Sequence, residues 1–239
     1  MKFYYAPMES ITIYLYRNIY EKLFGEIDKY YTPFIMPNGK RTFKTREFQD
    51  VLPEHNEGLH IVPQILTKSS KDFIRTAKEL KELGFNMNLA PVADVLTNKN
   101  NTEIGDRSFG TDSKKVSSIV ASLVKNMQKQ QISATIKHFP GSGGCGGDTH
   151  RGSTETYQTI ETLRDVDFKP FKAGIKADVD AVMVSHLMLS NVTDEKEPSS
   201  LSSRVVSDIL RDELEYKGII MTDAMNMKAI TDNYSSGEA

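Results

Sequence analysis

The chain has 239 residues, which is enough to bury the core of one large α/β barrel or of two small domains. Its 30 basic and 32 acidic residues leave a net charge of -2, which excludes the strongly basic surface of a protein that binds nucleic acid or an anionic membrane. The single cysteine, Cys145, excludes an internal disulfide bond and is typical of a reducing compartment.

No stretch of the sequence contains the run of about 20 apolar residues that a membrane-spanning helix requires. Residues 1–8 lack the long apolar core and the small-residue cleavage site of a secretory signal. We therefore expect a cytoplasmic protein whose partner is a small molecule, with no nucleic acid and no membrane. The sequence does not indicate an oligomeric state.

Short apolar runs alternate with longer amphipathic segments along the chain, a pattern typical of βα units around a parallel sheet. The predicted strands cover residues 3–7, 27–33, 60–66, 86–92, 133–139, 180–187 and 218–223. The predicted helices cover residues 69–83, 114–130, 166–176 and 203–215. Either Ser69 or Ser70 can cap the first of these helices.

These elements predict an α/β protein with a TIM-type (β/α)8 barrel, in which residues 1–239 form a single domain. No linker rich in Pro, Gly or Ser divides the chain, although two smaller domains remain the alternative. Only seven strands can be recognised. The barrel is therefore incomplete unless another segment supplies the eighth strand.

Four segments in the first third of the chain form one group: Tyr5–Thr12, Tyr16–Asn18, Asp28–Phe34 and Val62–Thr67. Together they resemble the N-terminal part of a tRNA-dihydrouridine synthase. The resemblance covers residues 1–83 and implies a flavin mononucleotide site lined by Ala6, Pro7, Met8 and Gln64. It ends past Gly84, where the catalytic cysteine segment of that family has no counterpart.

A second group of segments follows in the order Gly84–Val95, Ile104–Gly110, Lys137–Gly141, Asp148–His150, Met183–His186 and Gly218–Met227. These segments resemble the strand ends of the β-N-acetylglucosaminidases of glycoside hydrolase family 3, also called β-hexosaminidases. Residues 84–239 and residues 1–83 thus resemble different barrel families, so we expect a hybrid barrel. The second resemblance implies a retaining exo-β-N-acetylglucosaminidase that acts on small saccharides without a cofactor.

Retaining glycoside hydrolysis requires a carboxylate that attacks the anomeric carbon and a proton donor for the leaving oxygen. Asp223 follows the apolar run Ile219–Met221, so we expect it at the barrel rim as the nucleophile, with helix capping as the alternative. A histidine, with a pKa of about 6.5, can both give and take a proton. His150 is therefore the predicted acid/base, oriented by Asp148.

The family resemblance also assigns residues that bind the sugar. It implies this role for Lys137 and His138 at a strand end, and for Arg107 in the Gly-Asp-Arg-Ser-Phe-Gly segment. Asp94 either contacts the sugar or holds Arg107 or Lys137 in place. His186 either lines the pocket or forms hydrogen bonds within the core.

Two competing interpretations use neighbouring residues. Residues 141–146 match a Gly-x-Gly-x-x-Gly pattern, but a polar segment follows instead of an apolar helix, so we predict a mobile loop that carries His150. Cys145 in that loop is expected to be incidental. A metal-dependent hydrolase is disfavoured because the first strand has no His-x-His pair, and His55 and His60 are too scattered to form a ligand set. We therefore expect no metal.

One family motif is missing from this chain. Family 3 enzymes of this type carry an Asp-Gln-Glu-Gly-Gly segment that holds the sugar, and Val62–Leu66 occupies its place here. Because loss of positioning lowers the rate even when the reacting groups are intact, we expect weak or absent activity. A synthase-like protein that binds flavin mononucleotide and a non-catalytic hybrid barrel remain the alternatives.

Overall fold

The computed structural model describes residues 4–5, 11–25, 27–193, 197–235 and 237–239. The chain divides into two compact units, one formed by Met1–Asn88 with Lys129–Ile132 and the other by Leu89–Gln128 with Ser133–Ala239. Three of the four residues predicted to line a flavin site, Ala6, Pro7 and Met8, lie outside the described residues.

The first unit contains a parallel sheet with the strand order β1 (Tyr4–Tyr5), β2 (Lys29–Ile35) and β3 (Ile61–Ile65). Its other elements are helices α1 (Tyr14–Phe24), α2 (Thr45–Gln49) and α3 (Ser70–Glu82), a 3₁₀ turn at Pro53–His55 and strand β4 (Met87–Asn88). Ser69 caps α3 as predicted, because its hydroxyl accepts a hydrogen bond from the Asp72 backbone N–H at 3.2 Å.

The strands of the second unit are β5 (Ser133–Phe139), β6 (Thr154–Thr156), β7 (Ala181–Val184), β8 (Leu187–Leu189) and β9 (Ile219–Thr222). Strands β5, β7 and β9 pair in parallel in that order, and β6 pairs in parallel with β8. The helices are α4 (Ser113–Lys129), α5 (Ile160–Asp165), α6 (Phe168–Ile175), a π-helical segment (Arg204–Glu213) and α7 (Lys228–Thr231). A 3₁₀ turn at Gly105–Arg107 precedes α4.

Aromatic packing fixes β5 in the core of the second unit. The Phe139 ring lies 5.5 Å from the ring of Phe168 and 5.1 Å from that of Phe171, and all three side chains are fully buried. Every residue of β7 is also buried, as expected of a parallel strand that is covered on both faces.

The ends of the three paired strands meet at one edge of this sheet. The Ser185 backbone N–H donates to the Phe139 carbonyl at 2.8 Å, and the Asp223 N–H donates to the Val184 carbonyl at 2.8 Å. The register therefore continues past the last residues of β5, β7 and β9, and it brings the residues that follow them to the same edge.

A strand lies in each of the seven predicted segments, and the described residues add β6 and β8. Strands β6 and β8 form a two-stranded sheet of their own, and their segments of three residues are too short to show an alternating pattern. Among the helices of the described residues, none combines the length and apolar character needed to cross a membrane.

Candidate active site

Asp94 is a buried residue that accepts hydrogen bonds from the end of β5 and from the loop that follows it. Its side chain is fully buried, and Oδ2 accepts hydrogen bonds from the His138 backbone N–H at 3.2 Å and from His138 Nδ1 at 2.7 Å. Its other oxygen, Oδ1, accepts from the Ser142 N–H at 2.7 Å. These contacts favour the orienting role for Asp94, with His138 as the residue that it holds rather than Arg107 or Lys137.

Asp223 follows β9 and lies among positively polarised groups. Burial by itself would raise the pKa of Asp223, but His138, Lys137, the Ala224 backbone N–H and His186 together hold it below its usual value. The N–H of Ala224 donates to Asp223 Oδ1 at 2.7 Å. The next helix, α7, begins at Lys228 with Met227 as its N-cap, so Asp223 does not cap it. The carboxylate is thus charged and half-buried.

Lys137 lies in the same charged group. Burial, together with the charge of Arg107, lowers the pKa of the Lys137 ammonium to about 8, although the charges of Asp223 and Asp94 act in the opposite direction. Lys137 is therefore close enough to Asp223 and Arg107 for their charges to interact, which supports a common site at this edge.

His186 connects the nucleophile segment with the core. Its side chain is fully buried, Nδ1 lies 2.7 Å from the Ser200 hydroxyl and Nε2 lies 3.0 Å from the Ala224 carbonyl. Because a carbonyl only accepts, Nε2 carries the proton and Nδ1 accepts from Ser200. Burial lowers the pKa of His186, which agrees with a neutral ring. These bonds favour the second predicted role, hydrogen bonding within the core beside Asp223.

Asp148 and His150 form a hydrogen-bonded pair at the surface. Asp148 Oδ1 accepts from His150 Nδ1 at 2.8 Å and from the His150 backbone N–H at 3.0 Å. Burial would raise the pKa of Asp148, but the bonds and charge of His150 outweigh it and leave the carboxyl below its usual value. The His150 side chain is 58% exposed, and its ring bonds to Asp148 through Nδ1. His186 interacts electrostatically with both His150 and Asp223.

Two residues near this pair were not predicted from the sequence, Glu103 and Thr149. The Glu103 carboxylate accepts from the Thr149 hydroxyl at 2.7 Å and from its backbone N–H at 3.2 Å. The Glu103 carbonyl accepts from Arg107 Nη2 at 2.6 Å and from Nε at 3.2 Å. Glu103 directly precedes the recognised segment that starts at Ile104, so only its position beside that motif hinted at a role.

The glycine-rich loop is tightly packed at several points. A Cβ added at Gly143 would lie 2.0 Å from the Val95 carbonyl oxygen, and one at Gly147 would lie 2.7 Å from Thr154 Oγ1. Because these glycines have no side chain, the loop backbone can lie close to Val95 and Thr154, in addition to any loop movement. Cys145 in this loop is buried, and burial with the nearby Glu103 raises its pKa to about 12, which agrees with an incidental thiol.

A flavin and a metal ion are the two alternative ligands. Gln64, the described residue of the predicted flavin site, donates from Nε2 to the Thr32 carbonyl at 2.9 Å, and flavin binding stays a prediction. Ligand atoms of Glu103, Asp148 and His150 lie within 4.8 Å of one another, a spacing that a metal ion can bridge. Both Glu103 oxygens already accept from Thr149.

Comparison with known sequences identifies the family. Residues 69–239, most of the chain, match the sequence profile described as the glycosyl hydrolase family 3 N terminal domain. The chain belongs to glycoside hydrolase family 3. The match includes all of the residues of the second unit described above.

Relatives of this family 3 chain are known in sequence and structure. A β-hexosaminidase of Stenotrophomonas maltophilia (strain K279a) is 37% identical over 153 residues, which cover 64% of this chain and 44% of that protein. A family 3 β-N-acetylglucosaminidase from Paenibacillus sp. str. FPU-7 is 26% identical with a TM-score of 0.74, over 98% of this chain and 50% of that one. Zinc-bound CbsA from Thermotoga neapolitana is 26% identical with a TM-score of 0.68, over 94% and 48%.

This family 3 chain spans about half the length of the relatives that it matches. The similarity in structure supports the α/β fold with parallel sheets, and the similarity in sequence covers the segments that carry Asp223, Asp148 and His150.

The packing of the glycine loop can be tested by substitution. We expect Gly143→Ala to lower the free energy of unfolding in urea by about 3 kcal/mol, because its Cβ would overlap the Val95 carbonyl. Gly146→Ala is the matched control, since the nearest atom to its Cβ would lie at 3.8 Å. Equal stability of the two variants would contradict the close approach at Gly143.

Proposed function

We propose that this chain carries the active site of a retaining glycoside hydrolase that removes terminal β-linked N-acetylglucosamine from small saccharides. The central observation is the Asp148–His150 pair, in which a 2.8 Å hydrogen bond orients an exposed imidazole. The charged Asp223 carboxylate at the end of β9 and the names of the relatives, β-hexosaminidase and β-N-acetylglucosaminidase, support the proposal.

In the first step, Asp223 attacks the anomeric carbon and a covalent glycosyl ester forms as the bond to the leaving oxygen breaks. Protonated His150 gives its Nε2 proton to that oxygen. Asp148 accepts from Nδ1 throughout, which fixes the ring so that Nε2 faces outward and which stabilises the imidazolium before transfer.

In the second step, the neutral imidazole takes a proton from water at Nε2, and the water oxygen attacks the anomeric carbon. The bond to Asp223 breaks, so the carboxylate and the imidazolium are both regenerated. Lys137 and Arg107 donate to sugar hydroxyls in this scheme, and His138 is held for the same purpose by Asp94.

The barrel is part of the same proposal. Alternating parallel strands and helices support a TIM-type (β/α) barrel. The family 3 match begins at residue 69 and not at residue 84, so any synthase-like part of the proposed hybrid is limited to residues 1–68. Because Val62–Leu66 replaces the sugar-holding motif, the turnover is slow. The cytoplasmic location stays a prediction from the sequence.

The nucleophile assignment predicts a covalent intermediate. An aryl N-acetylglucosaminide should release its phenol with the wild-type chain, and Asp223→Ala should lower kcat/KM by about 10³-fold or more. A fluorinated sugar should add its mass to a peptide that contains Asp223. Asp232→Ala, which removes an exposed aspartate after α7, is the matched control and should behave like the wild type. Unchanged turnover by Asp223→Ala would contradict the assignment.

The acid/base assignment predicts a dependence on the leaving group. We expect His150→Ala to lower kcat/KM by about 10² to 10⁴-fold for substrates with poor leaving groups and only slightly for dinitrophenyl substrates, which need no protonation. Added azide should restore the second step by replacing the activated water and should yield a glycosyl azide of retained configuration. His60→Ala, an exposed histidine of the first unit, is the control. An equal loss for both substrate classes would rule out the acid role.

A further inference from the structure

Thr149 is held through each of its polar groups. Its backbone N–H and its hydroxyl both donate to Glu103, at 3.2 and 2.7 Å, and its carbonyl accepts from the Ala229 N–H at 3.2 Å. Thr149 is 1% exposed and Glu103 is 8% exposed, so water competes weakly for these bonds. Glu103 thus fixes a single residue of the loop from the core side.

Thr149 separates the two members of the acid/base pair. Asp148 and His150 bond to each other across it, and His150 is exposed while Asp148 is only partly buried. Packing alone therefore holds this pair weakly. The bonds of Thr149 to Glu103 and to the Ala229 N–H connect the segment between its two members to the rest of the second unit, and Glu103 is the side chain that takes part.

We propose that Glu103 is a positioning residue that holds His150 and Asp148 in place for proton transfer, through Thr149. This inference rests on the proposed function and deepens it. Glu103 also accepts from Arg107 through its backbone carbonyl. Glu103 therefore contacts Arg107, the proposed sugar-binding cation, through its main chain, and it contacts the acid/base loop through its side chain.

A divalent cation is the rival occupant of this cluster, because Glu103, Asp148 and His150 converge within 4.8 Å. The hydrogen bonds favour the positioning role. Each Glu103 oxygen already accepts one hydrogen bond from Thr149, so the protein itself orients the carboxylate. A metal role predicts that a chelator abolishes the activity, whereas the positioning role predicts that a chelator has no effect.

The test compares Glu103→Leu with Glu103→Gln in the full chain. Leucine has a similar size but accepts no hydrogen bond, whereas glutamine can accept from the Thr149 N–H and donate to its hydroxyl. We expect Glu103→Leu to lower kcat/KM about 10 to 100-fold for poor leaving groups and less than about 3-fold for dinitrophenyl substrates. Glu103→Gln should keep most of the activity with both.

Glu47→Leu is the matched control. Glu47 in the first unit is also buried, and its carboxylate accepts from the Lys44 and Met36 N–H groups at 2.8 and 3.2 Å. This variant should lose stability without any change in the dependence on the leaving group. If Glu103→Leu loses activity equally with all leaving groups, or if a chelator abolishes wild-type activity and zinc restores it, the positioning role is overturned.

Hydrogen–deuterium exchange separates this inference from the proposed function. Amides of residues 147–151 should exchange at least about 10-fold faster in Glu103→Leu than in the wild type, Glu103→Gln or Glu47→Leu, because they open locally. A wild-type chain without glycosidase activity would refute the proposed function, and the exchange rates would still decide whether Glu103 holds the loop. Unchanged exchange in Glu103→Leu would refute the inference even if the enzyme is active.

Discussion

The arrangement of the site depends on the buried carboxylate of Asp94. A carboxylate without contact to water is tolerated only when donors satisfy it, and here the His138 ring, the His138 N–H and the Ser142 N–H do so. The Asp94 carbonyl also accepts from the Ser108 hydroxyl at 2.8 Å. Asp94 thereby joins the end of β5, the start of the glycine loop and the segment of Arg107. Removing any one of these donors leaves a buried charge that the others must compensate.

The environments of Asp223 and His150 differ in a way that suits the two different roles proposed for them. Cations and polar hydrogens surround Asp223 and keep its pKa low, so the carboxylate remains an anion that can attack carbon. The His150 side chain is 58% exposed and its ring bonds to Asp148 through Nδ1, so in the proposed scheme Nε2 is the nitrogen that exchanges protons. Burial lowers the pKa of Lys137 to about 8, so the positive field at Asp223 weakens as the pH rises through that value.

The sequence predicts those strands and helices that are determined by a local pattern of residues. Strand β7 and residues Ile219–Met221 of β9 are continuous apolar runs, and the positions of the residues that follow them can be inferred from the strand direction. Helix α1 was not predicted because its pattern is inverted: Arg17 is the buried residue, while Leu15 and Ile19 are exposed. The Glu103–Thr149 contact spans 46 residues and joins a loop to a loop, so no periodicity could have revealed it.

The residues proposed to react and those proposed to hold them lie within one compact unit. Asp223, Asp148, His150, Asp94 and Glu103 all belong to the second unit, and the hydrogen bonds described above join residues of that unit. In the first unit, Gln64 of the segment that replaces the sugar-holding motif donates to the Thr32 carbonyl of β2. Under the proposed function, Lys137 and Arg107 are the cations expected to donate hydrogen bonds to the sugar. Under the proposed function, loss of that motif lowers kcat/KM, because the sugar is bound less tightly and is positioned less well for attack by Asp223.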